Sequence, residues 1–76
     1  MNFKKDKPEL FNAMADYYQL MQKLYGVVDI KQVIRECDTF MNKWLPQVED
    51  RDHCVVEGLT QGILVWKDIE IKDGKQ

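Results

Sequence analysis

Hydrophobic positions recur at intervals of three and four residues over the first third of the chain. Placed on a helix, they form one apolar face made of Leu10, Ala13, Met14, Tyr17, Leu20, Met21 and Leu24. Asp6 is a suitable N-cap, Pro8 suits the first helical turn, and Gly26 suits the left-handed position just after a helix end. The pattern therefore predicts a first helix over residues 8–25.

The second segment divides most cleanly into an apolar and a polar side. Its apolar residues fall in one continuous arc, which comprises Ile30, Val33, Ile34, Cys37, Phe40, Met41, Trp44 and Leu45. Asp29 is a suitable N-cap, and Pro46 would disrupt a continuing helix because it lacks an N–H group. A second helix is predicted over residues 29–45.

The third segment, residues 50–68, has two interpretations. Its valines favour a strand, and Gly58 and Gly62 each cost a helix about 1 kcal/mol relative to alanine. Plotted as a helix, however, it separates a polar face (Glu57, Thr60, Gln61, Lys67 and Asp68) from an apolar one (Val55, Val56, Leu59, Ile63 and Trp66). Because residues 53–57 and 63–66 do not alternate as strands do, we predict a helix over 50–68, with a β-hairpin over 53–72 as the alternative.

These segments together predict an all-α fold, a compact three-helix bundle, whereas the hairpin alternative would make it α+β. The connections are short, so neighbouring helices should be antiparallel or steeply crossed. We expect one small helical domain over residues 1–76, with flexible or extended ends at 1–6 and 70–76. Gly58 and Gly62 fall on one side of the third helix, where we expect a close contact inside the bundle, the alternative being a contact with a partner's helix.

Composition and charge narrow the class of partner. The chain has 76 residues, 45% of them hydrophobic, which suffices for a packed core. Its net charge is −2, so it lacks the basic footprint of a protein that grips nucleic acid or an anionic membrane across a whole face. No apolar run approaches the roughly 20 residues of a membrane span, and the opening MNFKKDKPEL lacks a signal peptide's apolar stretch. We expect a cytoplasmic protein with no membrane partner.

The inventory of reactive side chains is small. The sequence contains no serine and one histidine, His53, and its two cysteines, Cys37 and Cys54, lack the paired spacing of a zinc site. Acidic residues cluster at positions 49–52 without the glycine and distal glutamate of a calcium loop. We therefore predict no catalytic residue, no metal site, no cofactor and no small-molecule substrate, so that the protein is not an enzyme.

One group of apolar residues exceeds what a small core needs. Phe11, Tyr18 and Tyr25 are spaced seven apart, with Met14 beside them, and they widen the apolar side of the first helix to about half its circumference. Aromatic residues and methionine are enriched at protein interfaces. The stripe is therefore either an open docking surface or a core surface covered by Phe3, Ile69, Ile71 or the C-terminal segment.

The sequence favours a protein that acts by binding another protein. We predict a small acidic inhibitor, adaptor or regulator of a larger macromolecule, of the kind that phages and mobile elements encode, whose partner is a protein or a second copy in a homodimer. The predicted binding residues are Phe11, Met14, Tyr18, Tyr25, Glu49, Asp50, Asp52 and Glu57. In this hypothesis the aromatic residues are anchors, and the acidic residues match basic groups on the partner.

The alternative is a small dimeric transcriptional regulator that binds DNA. It would use Lys4, Lys5 and Lys7 together with the third helix as a recognition helix. We favour it less because the lysine arm also contains Asp6, and because the polar face of the third helix (Glu57, Thr60, Gln61, Lys67 and Asp68) offers Lys67 as its only basic residue.

Overall fold

In the computed structural model, which describes residues 3–73, every regular element is helical and no strand occurs within that range. The elements are α1 (Phe3–Asp6), α2 (Pro8–Leu24), α3 (Ile30–Trp44), a 3-10 turn (Asp50–Asp52) and α4 (His53–Asp73). The all-α prediction is confirmed. Three long helices match the predicted ones, and the single turn α1 is an additional element.

Helix α2 begins differently from the prediction and ends close to it. Asp6 is not the N-cap, because it belongs to α1; Lys7 takes that position and makes no side-chain cap hydrogen bond. The helix ends at Leu24, where Val27 donates its N–H to the Leu24 carbonyl over 3.0 Å. Gly26 then adopts a positive φ of 81°, which confirms its predicted place in the turn.

Helix α3 follows the sequence prediction most closely. The Asp29 side chain accepts a hydrogen bond from the Lys31 N–H over 3.0 Å, which confirms Asp29 as the N-cap. The buried face consists of Val33, Cys37, Phe40 and Trp44. The predicted apolar arc was too wide, because Ile30 in the first turn and Ile34 at the margin of this face are exposed.

The β-hairpin alternative is wrong, because residues 53–73 form one continuous helix, α4. Its buried face is Val56, Thr60, Ile63 and Lys67, whereas the sequence analysis placed Thr60 and Lys67 on the polar side. Both have hydrogen-bond partners: Thr60 Oγ1 donates to the Glu57 carbonyl (2.8 Å), and Lys67 Nζ donates to the Leu24 carbonyl (2.8 Å). The predicted core residue Val55 is exposed instead.

The expectation of flexible or extended ends requires a correction. Residues 3–6 form α1, and α4 includes residues 70–73, so these parts are helical rather than extended. The remaining parts of the predicted ends, residues 1, 2 and 74–76, lie outside the described residues.

The three long helices form an elongated bundle of 46 × 21 × 17 Å. Its core consists of Leu10, Ala13, Leu20, Leu24, Val33, Cys37, Phe40, Trp44, Val48, Val56 and Ile63. Helix α3 packs against both α2 and α4, and the indole N–H of Trp44 donates to Asp16 over 2.6 Å.

Helices α2 and α4 run in the same direction and are joined at both ends. Lys7, which precedes α2, binds both carboxylate oxygens of Asp52, which precedes α4, at 3.0 Å. At the other end, Lys67 of α4 binds the carbonyl of Leu24, the last residue of α2. Between these two contacts the α2–α4 side of the bundle is open to a groove of about 500 Å³.

The glycines of α4 do not make the predicted contact inside the bundle. A Cβ atom added to Gly58 or Gly62 would meet no atom of another element within 4 Å. Both residues are exposed. The expected close contact inside the bundle is therefore wrong, because a side chain at either position would point into open space.

Candidate functional site

The predicted aromatic stripe is an exposed surface. The relative exposures of Phe11, Tyr18 and Tyr25 are 36%, 62% and 82%, and Met14 beside them is half-buried. Seven residues are almost two helical turns, so Phe11 and Tyr18 of α2 lie on one side of the helix, and Tyr25 directly after it continues their row. We call Phe11, Met14, Tyr18 and Tyr25 the aromatic face. Ile69, one of the residues expected to cover it, is itself exposed.

The exposed area is large for so small a protein. If an aromatic side chain has about 200 Å² to bury, these three rings leave roughly 350 Å² in contact with water. A single apolar patch of about 300–600 Å² is the largest found on a typical monomer and is often functional. Three side chains alone thus provide a patch of functional size.

Two depressions meet at Tyr18. The α2–α4 groove is lined by Tyr18, Met21 and Gln22 of α2, by Tyr25 directly after α2, and by Trp66 of α4. A second depression of about 260 Å³ is lined by Phe11, Met14, Ala15 and Tyr18. Neither lining contains a charged side chain, so both depressions suit apolar side chains of a partner.

Trp66, which the sequence pattern places on the apolar side of the third helix, packs against the core and also lines the α2–α4 groove. It is half-buried, and the Lys67 ammonium lies 4.6 Å from the centroid of its ring. Its place toward one side of the apolar arc of α4 was the sequence signal that it could reach the surface. On the other side of the aromatic face, the Lys4 ammonium lies 5.6 Å from the centroid of the Phe11 ring.

No protein-family model, curated protein or solved structure matches this chain. Its function is therefore inferred from the geometry of its own surface.

The predicted acidic residues lie apart from the lining of the α2–α4 groove. Asp52 is buried, and Lys7 binds its carboxylate, so it is not available to a partner. Glu49 accepts a hydrogen bond from Arg51 over 3.0 Å, and Asp50 lies 3.7 Å from His53. Asp50, Glu49 and Glu57 are exposed around the start of α4, so the aromatic and acidic residues form two surfaces rather than one site.

Two of the lysines predicted to bind DNA are engaged within the fold. Lys7 is held by Asp52, and Lys67 is fully buried inside the bundle. The exposed side of α4 carries Glu57, Gln61 and Asp68.

The two cysteines differ in environment. Cys54 is exposed, whereas Cys37 is buried, and burial raises the pKa of its thiol, with smaller contributions from the negative charges of Asp38 and Glu36. Within residues 3–73 no three His, Cys, Asp or Glu side chains come together as a ligand set for a metal ion. Nor does that range include a helix with the length and apolar character needed to cross a bilayer.

Proposed function

We propose that this protein acts by occupancy: it binds a larger protein through the aromatic face and thereby inhibits, adapts or regulates it. The observation that carries the proposal is the exposure of Tyr18 and Tyr25 at the rim of the α2–α4 groove. Tyrosine is enriched among the residues that dominate binding energy, since it supplies a large contact area and loses few torsions on binding.

The geometry supports Tyr18 as the central anchor. It lines both depressions of the surface, so a bound partner would contact both of its flanks. Apolar side chains of the partner would fill the groove between Tyr18 and Trp66, and Gln22 would offer the only amide in that lining. The proposed site is thus Phe11, Tyr18, Tyr25 and Trp66, with Met14 and Met21 adapting to the partner's shape.

The exposed acidic residues have a secondary role in this proposal. Glu49, Asp50 and Glu57 are solvent-accessible charges near the start of α4, and rim charges chiefly affect association rate and partner choice. We place this activity in the cytoplasm and assign it no catalytic step.

The test is affinity capture from cells that naturally produce the chain, read by quantitative mass spectrometry. Tyr18→Asp places a charge in the centre of the aromatic face, and Asn12→Asp places the same charge on an exposed position of α2 about 120° away. Proteins captured by the wild type and by Asn12→Asp should be recovered in amounts about 30-fold lower, or lower still, with Tyr18→Asp, as expected for a hot-spot residue. Equal capture by both variants, with unchanged helicity by circular dichroism, would contradict the proposal.

The same variants separate protein binding from DNA binding. Because phosphate contacts release counterions, a DNA-binding protein loses affinity steeply as salt rises. We expect no salt-sensitive binding of duplex DNA at low ionic strength. Binding that falls steeply with salt and is unaffected by Tyr18→Asp would favour a DNA-binding regulator instead.

A further inference from the structure

A helix covers α2 on one side, and the α2–α4 groove lies on the opposite side. Trp44, the last residue of α3, donates to Asp16 of α2. Lys23, further along α2, binds Glu36 at 2.7 Å, which is earlier in α3, so α2 and α3 are antiparallel. Tyr18 in the groove lies about 160° around α2 from Asp16, so the groove faces away from α3.

We propose that the groove binds one amphipathic α-helix of the partner protein, which lies antiparallel to α2 and α4. This inference rests on the proposed function and adds to it the form of the partner's binding segment. In a four-helix bundle, nearly parallel and antiparallel helices surround one apolar core, and here three of the four positions are filled. All three long helices of the chain already pack against one another, so the fourth comes from the partner.

The length of the apolar track fits a short helix. The two depressions follow one another along α2 and share Tyr18, so together they extend from Phe11 to Tyr25. These two residues are 14 positions apart, or about 21 Å, which is the length of a helix of about four turns. A helix in an apolar groove is anchored by apolar residues at intervals of three and four.

The chemistry of the track favours a helix over an extended segment. No strand occurs within residues 3–73, so that range has no sheet edge to which a partner's strand could bind. Apart from the tyrosine hydroxyls, Gln22 has the one polar side chain in the two linings. An extended segment would therefore leave backbone N–H and C=O groups unpaired against apolar side chains, whereas a helix pairs them internally.

One end of the track carries a positive charge. The Lys4 ammonium lies 5.6 Å from the centroid of the Phe11 ring, beside the N-terminal end of α2. The acidic residues nearest to it in sequence, Asp6 and Glu9, line a separate small depression together with Asp52.

The other end of the track is negative. Glu70 and Asp73 follow Trp66 by four and seven residues, so both lie on the same side of α4 as Trp66. Asp73 is exposed, whereas Glu70 is half-buried and accepts from Lys67 at 3.1 Å. The C-terminal end of α2, at Leu24, adds partial negative charge.

These end charges determine the orientation and charge of the bound helix. An antiparallel helix places its positive N-terminal end near Asp73 and its negative C-terminal end near Lys4, so both contacts are attractive. Basic side chains in its first turns would strengthen the contact with Asp73. The occupant is thus a helix of about four turns with an apolar face and a basic N-terminal end.

The wall that α4 contributes leaves room for a helix. Gly62 precedes Trp66 by one turn and lies about 40° from it around α4. It is exposed, and a Cβ atom added there would meet no atom of another element within 4 Å. The wall is therefore low at this point, where the backbone of a bound helix can approach α4.

A displayed library of random peptides of about 16 residues tests the form of the occupant. Peptides are selected for binding to the full chain and to Asn12→Asp, and against binding to Tyr18→Asp. The selected sequences should have apolar residues at intervals of three and four, with Lys or Arg in the first turns. Apolar residues that alternate every second position, or a library without any Tyr18-dependent binder, would overturn the proposal.

Proline substitution then distinguishes a bound helix from a bound extended segment. In the tightest-binding peptide, proline at a solvent-facing position of a middle turn should raise the Kd about 100-fold, because it disrupts a helix. Alanine at the same position should change the Kd by less than about threefold. Equal binding of the two peptides would contradict a helical occupant.

Variants of α4 test whether the bound peptide contacts both walls. Gly62→Lys places a long charged side chain on the wall beside Trp66 and should raise the peptide Kd about tenfold or more. Gln61→Lys makes the same change at an exposed position about 140° from Trp66 and should leave the Kd unchanged. Equal effects of the two variants, with unchanged helicity by circular dichroism, would contradict a helix bound between α2 and α4.

A charge reversal tests the orientation. Asp73→Lys should raise the Kd of a peptide with a basic N-terminal turn about two- to tenfold at low salt, and less at high salt. Asp38→Lys, on the exposed side of α3, is the matched control and should have no effect. Tighter binding by Asp73→Lys would mean that an acidic end of the peptide lies there, which would overturn the antiparallel orientation.

The proposed function and this inference can fail separately. Capture of the same cellular proteins by Tyr18→Asp and by the wild type would contradict the proposed function. Capture that depends on Tyr18, combined with alternating or proline-tolerant peptides, would contradict the helix alone. Sedimentation equilibrium of the chain by itself should give 9.0 kDa, and a Tyr18-dependent rise toward twice that mass would make a second copy the occupant and overturn the partner's helix.

Discussion

Lys67 is a charged residue that belongs to the core of this small bundle. It has no exposed surface, and its ammonium donates to the Leu24 carbonyl at 2.8 Å and to Glu70 at 3.1 Å. Leu24 ends α2, where the helix dipole favours a positive charge. Its aliphatic stem fills space in the bundle while its charge has fixed partners, which is how a buried lysine is tolerated.

Truncating Lys67 should therefore destabilise the bundle. Lys67→Ala removes both the buried stem and the cation, so we expect the free energy of unfolding to fall by about 2–4 kcal/mol. Lys67→Met keeps most of the volume and avoids burying a charge, and should cost about half as much or less. Urea denaturation measures both, with Lys31→Met as the exposed control. A Lys67→Ala variant as stable as the wild type would show that the ammonium and stem contribute little.

The two thiols should differ in reactivity by orders of magnitude. Cys54 is exposed, whereas the buried Cys37 has a raised pKa and holds its proton. In the folded protein a chromogenic disulfide reagent at pH 8 should modify one thiol rapidly and the second only as the chain unfolds. Cys54→Ala should remove the fast phase, and a fast phase that persists in this variant would contradict the buried position of Cys37.

Because the thiol pKa of Cys37 is raised, the stability of the fold should depend on pH in the alkaline range. Since the thiol pKa of Cys37 is raised in the folded chain above its ordinary value of 9.0, the unfolded chain releases its proton first as pH rises. The contribution of Cys37 to stability is thus complete below about pH 9 and is lost above it. In Cys37→Ala this alkaline loss should be smaller than in the wild type, as measured by denaturation at pH 8 and pH 10.

At the scale of elements, the glycines of α4 limit its stability. Gly58 and Gly62 lie in a helix with open space where a Cβ would go, so Gly58→Ala and Gly62→Ala should each raise the free energy of unfolding by about 0.5–1 kcal/mol. Gly26→Ala is the control, because its positive φ of 81° makes a side chain unfavourable and should lower stability. Thermal unfolding at a concentration where the chain is monomeric measures all three. Destabilisation by both α4 substitutions would indicate a contact inside the bundle.

The elements differ in how well the sequence predicts them. Helix α3 could be predicted because its cap, Asp29, its periodicity and Pro46 all agree. In α4, β-branched residues and glycines argued locally for a hairpin, and packing against α3 overrides that preference. The side of α4 that is buried could not be predicted, because Thr60 and Lys67 are polar and their partners become visible only in the folded chain.

At the scale of the whole molecule, the aromatic face and the acidic residues also differ in how well the sequence predicts them. The aromatic face could be predicted because the apolar arc of α2 is wider than one helix contact requires. Whether the aromatic face is open depends on where the ends of the chain lie, and the hydrophobic periodicity does not determine that. The burial of Asp52 beside Lys7 could not be predicted, because the two residues are 45 positions apart along the chain.

The Lys7–Asp52 pair should connect the N-terminal ends of α2 and α4 energetically. Lys7→Met and Asp52→Asn should each lower the free energy of unfolding by about 1 kcal/mol, and the double variant should lose less than the sum. A double-mutant cycle by urea denaturation should give a coupling of about 0.5–1 kcal/mol that shrinks at high salt. Additive losses would mean that the two groups stabilise the fold independently.

The open seam between α2 and α4 has a consequence for the order of folding. Helices α2 and α3, and then α3 and α4, are neighbours along the chain and can pair after closing short loops. The contacts of Lys7 with Asp52 and of Lys67 with Leu24 instead join residues 45 and 43 positions apart, so their loop-closure entropy is larger. We expect this seam to form last, so the side that presents Tyr18 and Trp66 is also the last part of the molecule to reach its native shape.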